Sequence, residues 1–323
     1  MNNLPSFPTW NVQDPSKIQV YMSCPRRYFY EYVLGWRAER PSNHLVFGSA
    51  WHIAMETLLL EGNSAESCLR AYNGFLSKYR ETFGSPNDEL YSPKTPSNVL
   101  RALPQYCQRW ADDDFEVLHT EISGVAAIAP DKIVHFKMDT ICHGREGYFS
   151  LEHKTSSRFS TTWAAQWRQK LQVGMYTHAL FCLFPEEDVY GVKINGAFFT
   201  DPPKIKRDGT PYAKERDNEF HRVPVRRNLA SMQSWLNEIN FWYDRIQHDF
   251  DLLSNTNDGD GDLLAFPRNT ESCTSYNNPC PFLDYCSVWN NPLQHADVPP
   301  LGFKIEHWDP RERVTDHAKE IKI

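Results

Sequence analysis

The sequence lacks long apolar runs and has no excess of positive charge. No stretch approaches the roughly 20 consecutive apolar residues of a membrane-spanning helix, and Pro5, Pro8 and Pro15 interrupt the apolar segment that a secretory signal peptide requires. The chain carries 34 lysine and arginine residues against 41 aspartate and glutamate residues, which gives a formal charge of −7. These absences predict a soluble cytoplasmic protein without a membrane partner, in which any polyanion is bound by a local patch.

Cysteine is too sparse for a disulfide framework, because eight cysteines are spread unevenly over 323 residues. In a reducing compartment such cysteines serve as free thiols or as metal ligands. With 41% hydrophobic and 14% aromatic residues, the chain has enough apolar side chains for a packed interior, which excludes wholesale disorder. The length fits one elaborated domain or two modest ones.

The order of the secondary-structure patterns predicts an α/β fold. Apolar residues first recur at helical intervals, then alternate with a period of two, and then return to helical intervals. Helices are predicted over 45–60, 65–83, 97–113, 162–184 and 229–253, and strands over 117–128, 133–142, 148–154 and 189–200. Strands that surround a crossover helix are typical of a mixed central sheet flanked by helices.

Five regions are predicted along the chain. They are an N-terminal segment (1–43), a helical region (44–115), a core that contains the sheet (116–253), a cysteine-bearing segment (254–291) and a tail without a strong pattern (292–323). Within the core, turn residues dominate 202–218, which predicts an exposed basic loop or hairpin. Its basic residues are Lys204, Lys206, Arg207, Lys214 and Arg216. These residues are able to track a DNA backbone, although a solvated loop explains them equally well.

A D-x12-E-x-K pattern joins two of the predicted strands. Asp139 lies in one strand, and Glu152 and Lys154 follow in the next at a spacing of two, which places both side chains on one face. Carboxylates suit Mg²⁺ or Mn²⁺, which activate water and stabilise phosphoryl charge, and Lys154 adds a positive charge. A cross-strand salt bridge is the competing interpretation, because short patterns of this kind are common. Glu121, on the preceding strand, is able to join these acids, although a surface salt bridge is the more common role of such a residue.

Two helical pairs accompany this pattern. His52 and Glu56 lie four residues apart on the helix predicted over 45–60, and Gln172 and Tyr176 lie four apart on the crossover helix, so each pair shares a helix face. Taken singly, His52 is more often a core histidine than a ligand, and a Gln–Tyr pair is more often a packing feature. Together with D-x12-E-x-K, in this order, they have a much lower rate of chance occurrence.

Three of the eight cysteines cluster towards the C-terminal end. Cys273, Cys280 and Cys286 are separated by six and five residues, and Cys24, in a Ser-Cys-Pro-Arg-Arg turn, is the candidate for a fourth ligand. Four thiolates satisfy either a tetrahedral zinc ion or a [4Fe-4S] cluster, and the spacing does not separate the two. The other four cysteines lie within predicted helices or strands and are interpreted as small buried residues.

Taken together, these residues resemble the RecB-like branch of the PD-(D/E)XK nuclease superfamily, in particular its iron–sulfur members, which include the CRISPR-associated RecB-like nucleases and the AddB nuclease domain. The resemblance spans about residues 16 to 289. It implies a restriction-endonuclease-like core with an N-terminal helical region and a C-terminal cluster-binding segment. It also implies DNA as the substrate, Mg²⁺ or Mn²⁺ as cofactor and a [4Fe-4S] cluster, with zinc left open by the wide gap between Cys273 and Cys280.

The resemblance also implies a role for each motif residue. The implied metal ligands are His52, Asp139, Glu152 and the backbone carbonyl of His153. The implied catalytic residues are Asp139, Glu152, Lys154, Gln172 and Tyr176. The implied cluster ligands are Cys24, Cys273, Cys280 and Cys286.

The sequence therefore predicts a metal-dependent DNA nuclease that acts as an exonuclease in recombination, repair or phage DNA processing, on DNA that is single-stranded or has single-stranded ends. No helicase motifs accompany the pattern, which implies a stand-alone enzyme in a prokaryotic or phage-infected cell. The alternative is a catalytically silent DNA-binding or adaptor protein of a recombination or CRISPR adaptation complex, and the intact His52, Asp139, Glu152 and Lys154 argue against it. Cleavage polarity, strand preference, homo-oligomer formation and a recombination-complex partner stay open.

Overall fold

The computed structural model describes residues 4, 6–201, 206–208, 210, 216–275, 278–311 and 319–322, with residues 87 and 319–322 described by their backbone. The helices are α1 (Pro15–Ser23), α2 (Pro25–Tyr28), α3 (Asn43–Glu61), α4 (Ala65–Arg80), α5 (Pro96–Arg109), α6 (Thr161–Ala165), α7 (Leu171–Leu183), α8 (Leu229–Ser254) and α9 (Leu283–Val288). The strands are β1 (Trp36–Ala38), β2 (Phe115–Ala129), β3 (Lys132–Gly144), β4 (Gly147–Ser156), β5 (Val189–Phe198), β6 (Glu219–Val225), β7 (Thr274–Ser275), β8 (Asn278–Pro279), β9 (Phe303–Ile305) and β10 (Lys319–Lys322).

A mixed sheet in the order β10-β2-β3-β4-β5-β6 forms the centre of the described chain. β2, β3 and β4 are successive antiparallel strands, whereas β4 and β5 are parallel and are connected through α7. β6 then pairs with β5 in the antiparallel sense. The predicted α/β class, with a mixed sheet flanked by helices, is confirmed.

The apolar side chains form a core on each side of this sheet. In one core, α3 and α4 pack through Phe47, Trp51 and Phe75 against Phe199, which follows β5. In the other, α1, α7 and α8 pack together against the sheet. The two helical layers thus bracket the central strands, and each layer supplies side chains to the site described below. Within the described residues, every helix is too short or too polar to cross a membrane.

The crossover helix is interrupted, so the single helix predicted over 162–184 is wrong. α6 is followed by a 3₁₀ turn over 166–169 and by an extended residue, Lys170, before α7 begins. The guanidinium of Arg227 donates hydrogen bonds of 3.0 and 2.9 Å to the carbonyls of Arg168 and Lys170. Because these carbonyls are satisfied from outside, the chain is stable without a continuous helix at this point.

Short edge strands occur where the sequence shows no strand pattern. In the tail, β9 pairs with β1 near the N-terminus, and β10 adds a parallel edge to β2. Such strands are held by main-chain hydrogen bonds to a neighbour, and they need no alternation of apolar side chains. The division of the chain into five regions stays a prediction.

Candidate active site

The two strands of the D-x12-E-x-K pattern pair at one end only. β3 and β4 are paired from the turn after Gly144 up to the pair Ile141–Ser150, and beyond it they separate. Asp139 lies on β3 in this opening, and its Oδ2 accepts a hydrogen bond of 2.7 Å from the backbone N–H of His153 on β4. We call the opening the fork. A carboxylate therefore bridges the two strands where their own hydrogen bonding has ended.

Glu152 and Lys154 lie on one face of β4, as their spacing predicts. The Nζ of Lys154 donates to Oε1 of Glu152 at 2.6 Å, and Nε2 of Gln172 donates to the same oxygen at 3.2 Å. Gln172 also donates to the Tyr176 hydroxyl at 2.7 Å, and this hydroxyl donates to the carbonyl of Lys137 on β3. The other oxygen of Glu152 is buried and has no hydrogen-bond partner in the described structure.

A group of metal-type ligands converges on the same aspartate. Nδ1 of His52, on α3, lies 3.1 Å from Oδ1 of Asp139. Glu121 stands opposite Asp139 in the β2–β3 register, and ligand atoms of His52, Glu121 and Asp139 all lie within 4.8 Å of one another. Of the two interpretations of Glu121, the structure therefore favours the acidic cluster over the surface salt bridge, since the side chain lies with these ligand atoms on partly buried residues.

The backbone of Glu121 is strained. Its φ of 46° lies in the left-handed region, which a residue with a long side chain rarely adopts in the middle of a strand. Strain of this kind costs on the order of 1–3 kcal/mol and is found mainly at functional sites. The local distortion places an acidic side chain beside Asp139 at the expense of regular strand geometry.

The pKa values at the fork show a shortage of positive charge. Burial opposes protonation of His52, but the Asp139 carboxylate outweighs burial and raises the His52 pKa to about 9. Burial, assisted by the Asp139 charge, raises the pKa of Glu121 and of Glu152 to about 7. Partial burial of Lys154 opposes its charge, but the neighbouring Glu152 outweighs burial and holds the Lys154 pKa above the usual value. Three acids therefore share two cationic side chains, and a divalent cation would relieve their repulsion.

The donor set fits a hard divalent cation. Carboxylates suit Mg²⁺ and Mn²⁺, and the buried, unpartnered oxygen of Glu152 has unsatisfied capacity for a ligand. His153 contributes differently, because its ring Nδ1 lies 3.1 Å from Nδ2 of Asn195 and burial lowers its pKa to about 3. The metal-ligand roles of Glu152 and of the His153 carbonyl stay predictions.

A mixed sheet that forks between an aspartate strand and an E-x-K strand, with helices on both faces, is a restriction-endonuclease-like core. A family model for the PD-(D/E)XK nuclease superfamily matches residues 15–287, so the chain belongs to that superfamily. The crystal structure of SSO0001 is similar at 18% identity, with a TM-score of 0.23, over 53% of this chain and 69% of that one. No curated protein matches the chain significantly. The superfamily predicted from the motifs is confirmed.

The four cysteines predicted to bind a cluster line one cavity between the two ends of the chain. Cys24 comes from the N-terminal side, and Cys273, Cys280 and Cys286 come from the C-terminal side. The thiols are free and partly buried. We call this space the cysteine cavity.

Hydrogen bonds around the cysteine cavity join the same two chain ends. The side chain of Arg26 donates to the carbonyls of Leu263, Phe266 and Asn290. The carbonyl of Ser23 accepts from the side chains of Asn269 and Ser272 at 2.8 and 2.7 Å. The cysteines are thus placed by a polar framework of the protein itself.

The choice between one zinc ion and a [4Fe-4S] cluster in the cysteine cavity stays a prediction. Tetrahedral zinc with bonds of about 2.3 Å brings its sulfur ligands to about 3.8 Å from one another. In the part of the chain that the structure describes, three ligand atoms within 4.8 Å of one another are found at the fork and not among the cysteines. A [4Fe-4S] cluster spreads its four thiolates over a larger core.

The remaining predicted residues have different outcomes. Lys206, Arg207 and Arg216 are exposed, whereas Lys204 and Lys214 lie outside the described residues, so DNA binding by this loop stays a prediction. Of the cysteines interpreted as buried, Cys107 and Cys142 are buried, Cys68 is half-buried with its sulfur 2.9 Å from that of Cys107, and Cys182 is exposed.

Proposed function

We propose that the protein is a Mg²⁺- or Mn²⁺-dependent deoxyribonuclease of the iron–sulfur RecB-like type. The observation that carries the proposal is the convergence of His52, Glu121 and Asp139 beside the buried Glu152 and its partner Lys154. In an ordinary salt-bridge network each acid pairs with a base, whereas here two carboxyl groups have raised pKa values and one carboxylate oxygen has no partner. Perturbed acids of this kind, gathered at one place, support a catalytic site.

His52, Glu121 and Asp139 would hold the cation, and the free oxygen of Glu152 is the expected additional ligand. The bound ion supplies Lewis-acid stabilisation of phosphoryl charge and lowers the pKa of its water. Lys154 is fixed through Glu152 at 2.6 Å and donates a hydrogen bond to the attacking water or to a phosphoryl oxygen. In the hydrolysis, the water oxygen bonds to phosphorus, the bond from phosphorus to one ester oxygen breaks, and the leaving oxygen takes up a proton.

Gln172 and Tyr176 act as positioning residues in this proposal. Gln172 orients the carboxylate of Glu152, and Tyr176 bonds both to Gln172 and to the β3 carbonyl of Lys137. The pair thereby fixes the distance between α7 and the strand that carries Asp139. Their effect on catalysis passes through Glu152.

The cysteine cavity holds a [4Fe-4S] cluster whose role is structural. Cys24, Cys273, Cys280 and Cys286 line it from both chain ends, and the cavity shares no residue with the fork. Anaerobically purified protein is expected to be brown and to contain about four iron atoms per chain. A colourless protein with one zinc ion per chain would replace the cluster by a zinc site.

The substrate is DNA that is single-stranded or has single-stranded ends, and the setting is recombination, repair or phage DNA processing. End-labelled single- and double-stranded DNA, each linear and circular, should be incubated with Mg²⁺, Mn²⁺ or a chelator. We expect metal-dependent loss of linear DNA and survival of circular DNA, which is the mark of an exonuclease. Protein with full iron content that leaves all four forms intact with either metal would refute the nuclease proposal in favour of the adaptor alternative.

A further inference from the structure

A basic groove lies on the far side of α7 from the fork. Its volume is about 660 Å³, and the residues that border it come from the turn before α7, the end of β6 and the first turns of α8. We call it the arginine groove. Its charged lining residues are Arg168, Arg226, Arg227 and Glu238. Three positive charges against one negative charge contrast with the formal charge of −7 of the whole chain.

The three arginines are held in different ways. Arg227 is half-buried, and its guanidinium is anchored on the carbonyls of Arg168 and Lys170. The guanidinium carbon of Arg226 lies 4.4 Å from the ring centroid of Tyr190, which fixes the side chain over an aromatic face. Arg168 and Arg226 are exposed, and neither has an acidic partner among the described residues. Their positive charges are therefore available to a ligand.

Two buried donors of the groove lack acceptors. Within the described structure, Nε of Arg227 and Nε1 of Trp235 have no hydrogen-bond partner, although the Trp235 side chain is only 3% exposed. The beginning of α8 adds a partial positive charge beside them, because backbone N–H groups point outwards from a helix N-terminus. These two donors pack against Gly174 of α7 and are closed off from the groove, so the attraction for an anion comes from the exposed arginines and the helix N-terminus.

The groove and the fork contact opposite faces of α7. Gln172 faces Glu152 at the fork, whereas a Cβ at Gly174 would come within 2.2 Å of Nε1 of Trp235 and 2.6 Å of an Nη of Arg227. The turn before α7 links the two places, because Nζ of Lys154 at the fork lies 5.9 Å from the centroid of the Trp167 ring and the next residue, Arg168, borders the groove.

We infer that the arginine groove binds the sugar–phosphate backbone of the DNA strand where it runs over the turn before α7, outside the fork. The inference rests on the proposed nuclease function and names the place where the strand is held. Arg168 and Arg226 contact phosphate oxygens, and Arg227 shapes the groove floor.

The test is DNA binding by the full chain with Arg168→Glu and Arg226→Glu combined. Both side chains are exposed, so the substitutions leave the core intact, which an unchanged melting temperature would verify. Binding of a fluorescent 20-nucleotide DNA strand is measured by anisotropy in Ca²⁺ at several salt concentrations, with Lys154→Ala in every protein to prevent cleavage. We expect DNA binding at least tenfold weaker than that of the parent. The slope of log affinity against log salt concentration should fall by the amount that corresponds to the loss of about two phosphate contacts.

A matched control separates this groove from general electrostatics. Arg70→Glu with Lys78→Glu makes the same change in net charge on α4, on exposed side chains away from the groove. Affinity and salt slope close to those of the parent are expected for this control. An Arg168→Glu/Arg226→Glu protein that binds as tightly as the control would overturn the inference.

The outcome is independent of the nuclease proposal, because no cleavage is measured. A parent protein that binds DNA through the groove but never hydrolyses it would contradict the enzymatic proposal and support the groove. A parent protein that cleaves DNA, with binding indifferent to both arginines, would do the reverse. Arg168→Ala and Arg226→Ala, tested together, should show a smaller loss of the same sign.

Discussion

At the fork, acidic and basic side chains face one another at close range, whereas the cysteine cavity is lined by four cysteines and by hydrogen-bonded arginines. Asp139, Glu121 and Glu152 share the charges of His52 and Lys154, and their pKa values are displaced by burial and by one another. Around the cysteine cavity, Arg26 and the Ser23 carbonyl join chain segments more than 230 residues apart through ordinary hydrogen bonds.

This difference indicates that the fork and the cysteine cavity have different roles. Like charges held close together and a strained backbone destabilise the metal-free protein. We therefore expect the fork to contribute to activity and not to the stability of the fold. Contacts between the two chain ends restrict the unfolded chain and stabilise the fold, whatever the chemistry at the fork. Substitutions in the two regions should therefore separate activity from stability.

The largest expected effect is on cleavage, from Lys154→Ala. Loss of the ammonium removes charge stabilisation in the transition state, and we expect DNA cleavage to fall by about 10³- to 10⁴-fold. Lys193→Ala is the matched control, because Lys193 lies on the neighbouring strand and pairs with Glu146 instead. Cleavage rates and melting temperatures of both variants make the measurement. A Lys154→Ala protein that cleaves DNA at the rate of the parent would show that Lys154 takes no part in catalysis.

Next comes the stability effect of Cys280→Ala. A cross-link between the chain ends closes a loop of hundreds of residues, and its loss should cost about 4 kcal/mol of unfolding free energy by analogy with disulfides. We expect a melting temperature about 10 °C lower and loss of the brown colour, with Cys24→Ala behaving in the same way. Cys182→Ala, at an exposed cysteine, is the control that should change neither. Full iron content in Cys24→Ala would show that the N-terminal thiol is not a ligand.

A smaller effect is expected on metal affinity from Glu121→Gln. Removing one charged ligand atom next to His52 and Asp139 should weaken Mn²⁺ binding by about 10- to 100-fold, or about 1.4 to 2.7 kcal/mol. Glu56→Gln is the matched control, since Glu56 accepts a hydrogen bond from Thr120 and lies outside the ligand group. Calorimetric titration of both variants decides the matter. Equal Mn²⁺ affinities of the Glu121→Gln and Glu56→Gln proteins would show that Glu121 is not a metal ligand.

The smallest effect is the release of protons on metal binding. Because the His52 pKa is raised to about 9, the ring is protonated at pH 7 and must lose its proton to bind a cation, while Glu121 and Glu152, with pKa values of about 7, are each partly protonated. Metal affinity should therefore rise as the pH increases from 6 to 9. Calorimetry in two buffers of different ionisation enthalpy should show more than one proton released at pH 7. A value near zero would contradict the charge assignment at the fork.

Local geometry explains which parts of the site were predictable. The spacing of two on a strand places Glu152 and Lys154 together, and the spacing of four on a helix does the same for Gln172 and Tyr176. Each of these two contacts lies within a single strand or helix, so it can be predicted from the residue spacing alone. The break before α7 was missed because its cause, Arg227, lies 57 residues beyond Lys170.

For Glu121 the sequence left two interpretations, the acidic cluster and a salt bridge, for a related reason. Its place in the cluster depends on the β2–β3 register and on a left-handed backbone conformation, and neither is visible in a single sequence. An acidic side chain within a predicted strand was the available signal, and a salt bridge was the more common explanation. The place of Cys24 beside the distant cysteines, in contrast, was predicted from the need for a fourth thiol ligand and from the family resemblance.

The most direct test of the account is Asp139→Asn, followed in one preparation by Mn²⁺ binding, DNA cleavage, melting temperature and iron content. Asparagine keeps an oxygen that accepts the hydrogen bond from the His153 N–H, so the bridge across the fork is preserved while the charge is lost. The account predicts loss of Mn²⁺ binding and of cleavage, with the melting temperature no lower than that of the parent and about four iron atoms per chain. Parent-like metal binding and cleavage by this variant would contradict the claim that the fork is the metal-dependent nuclease centre.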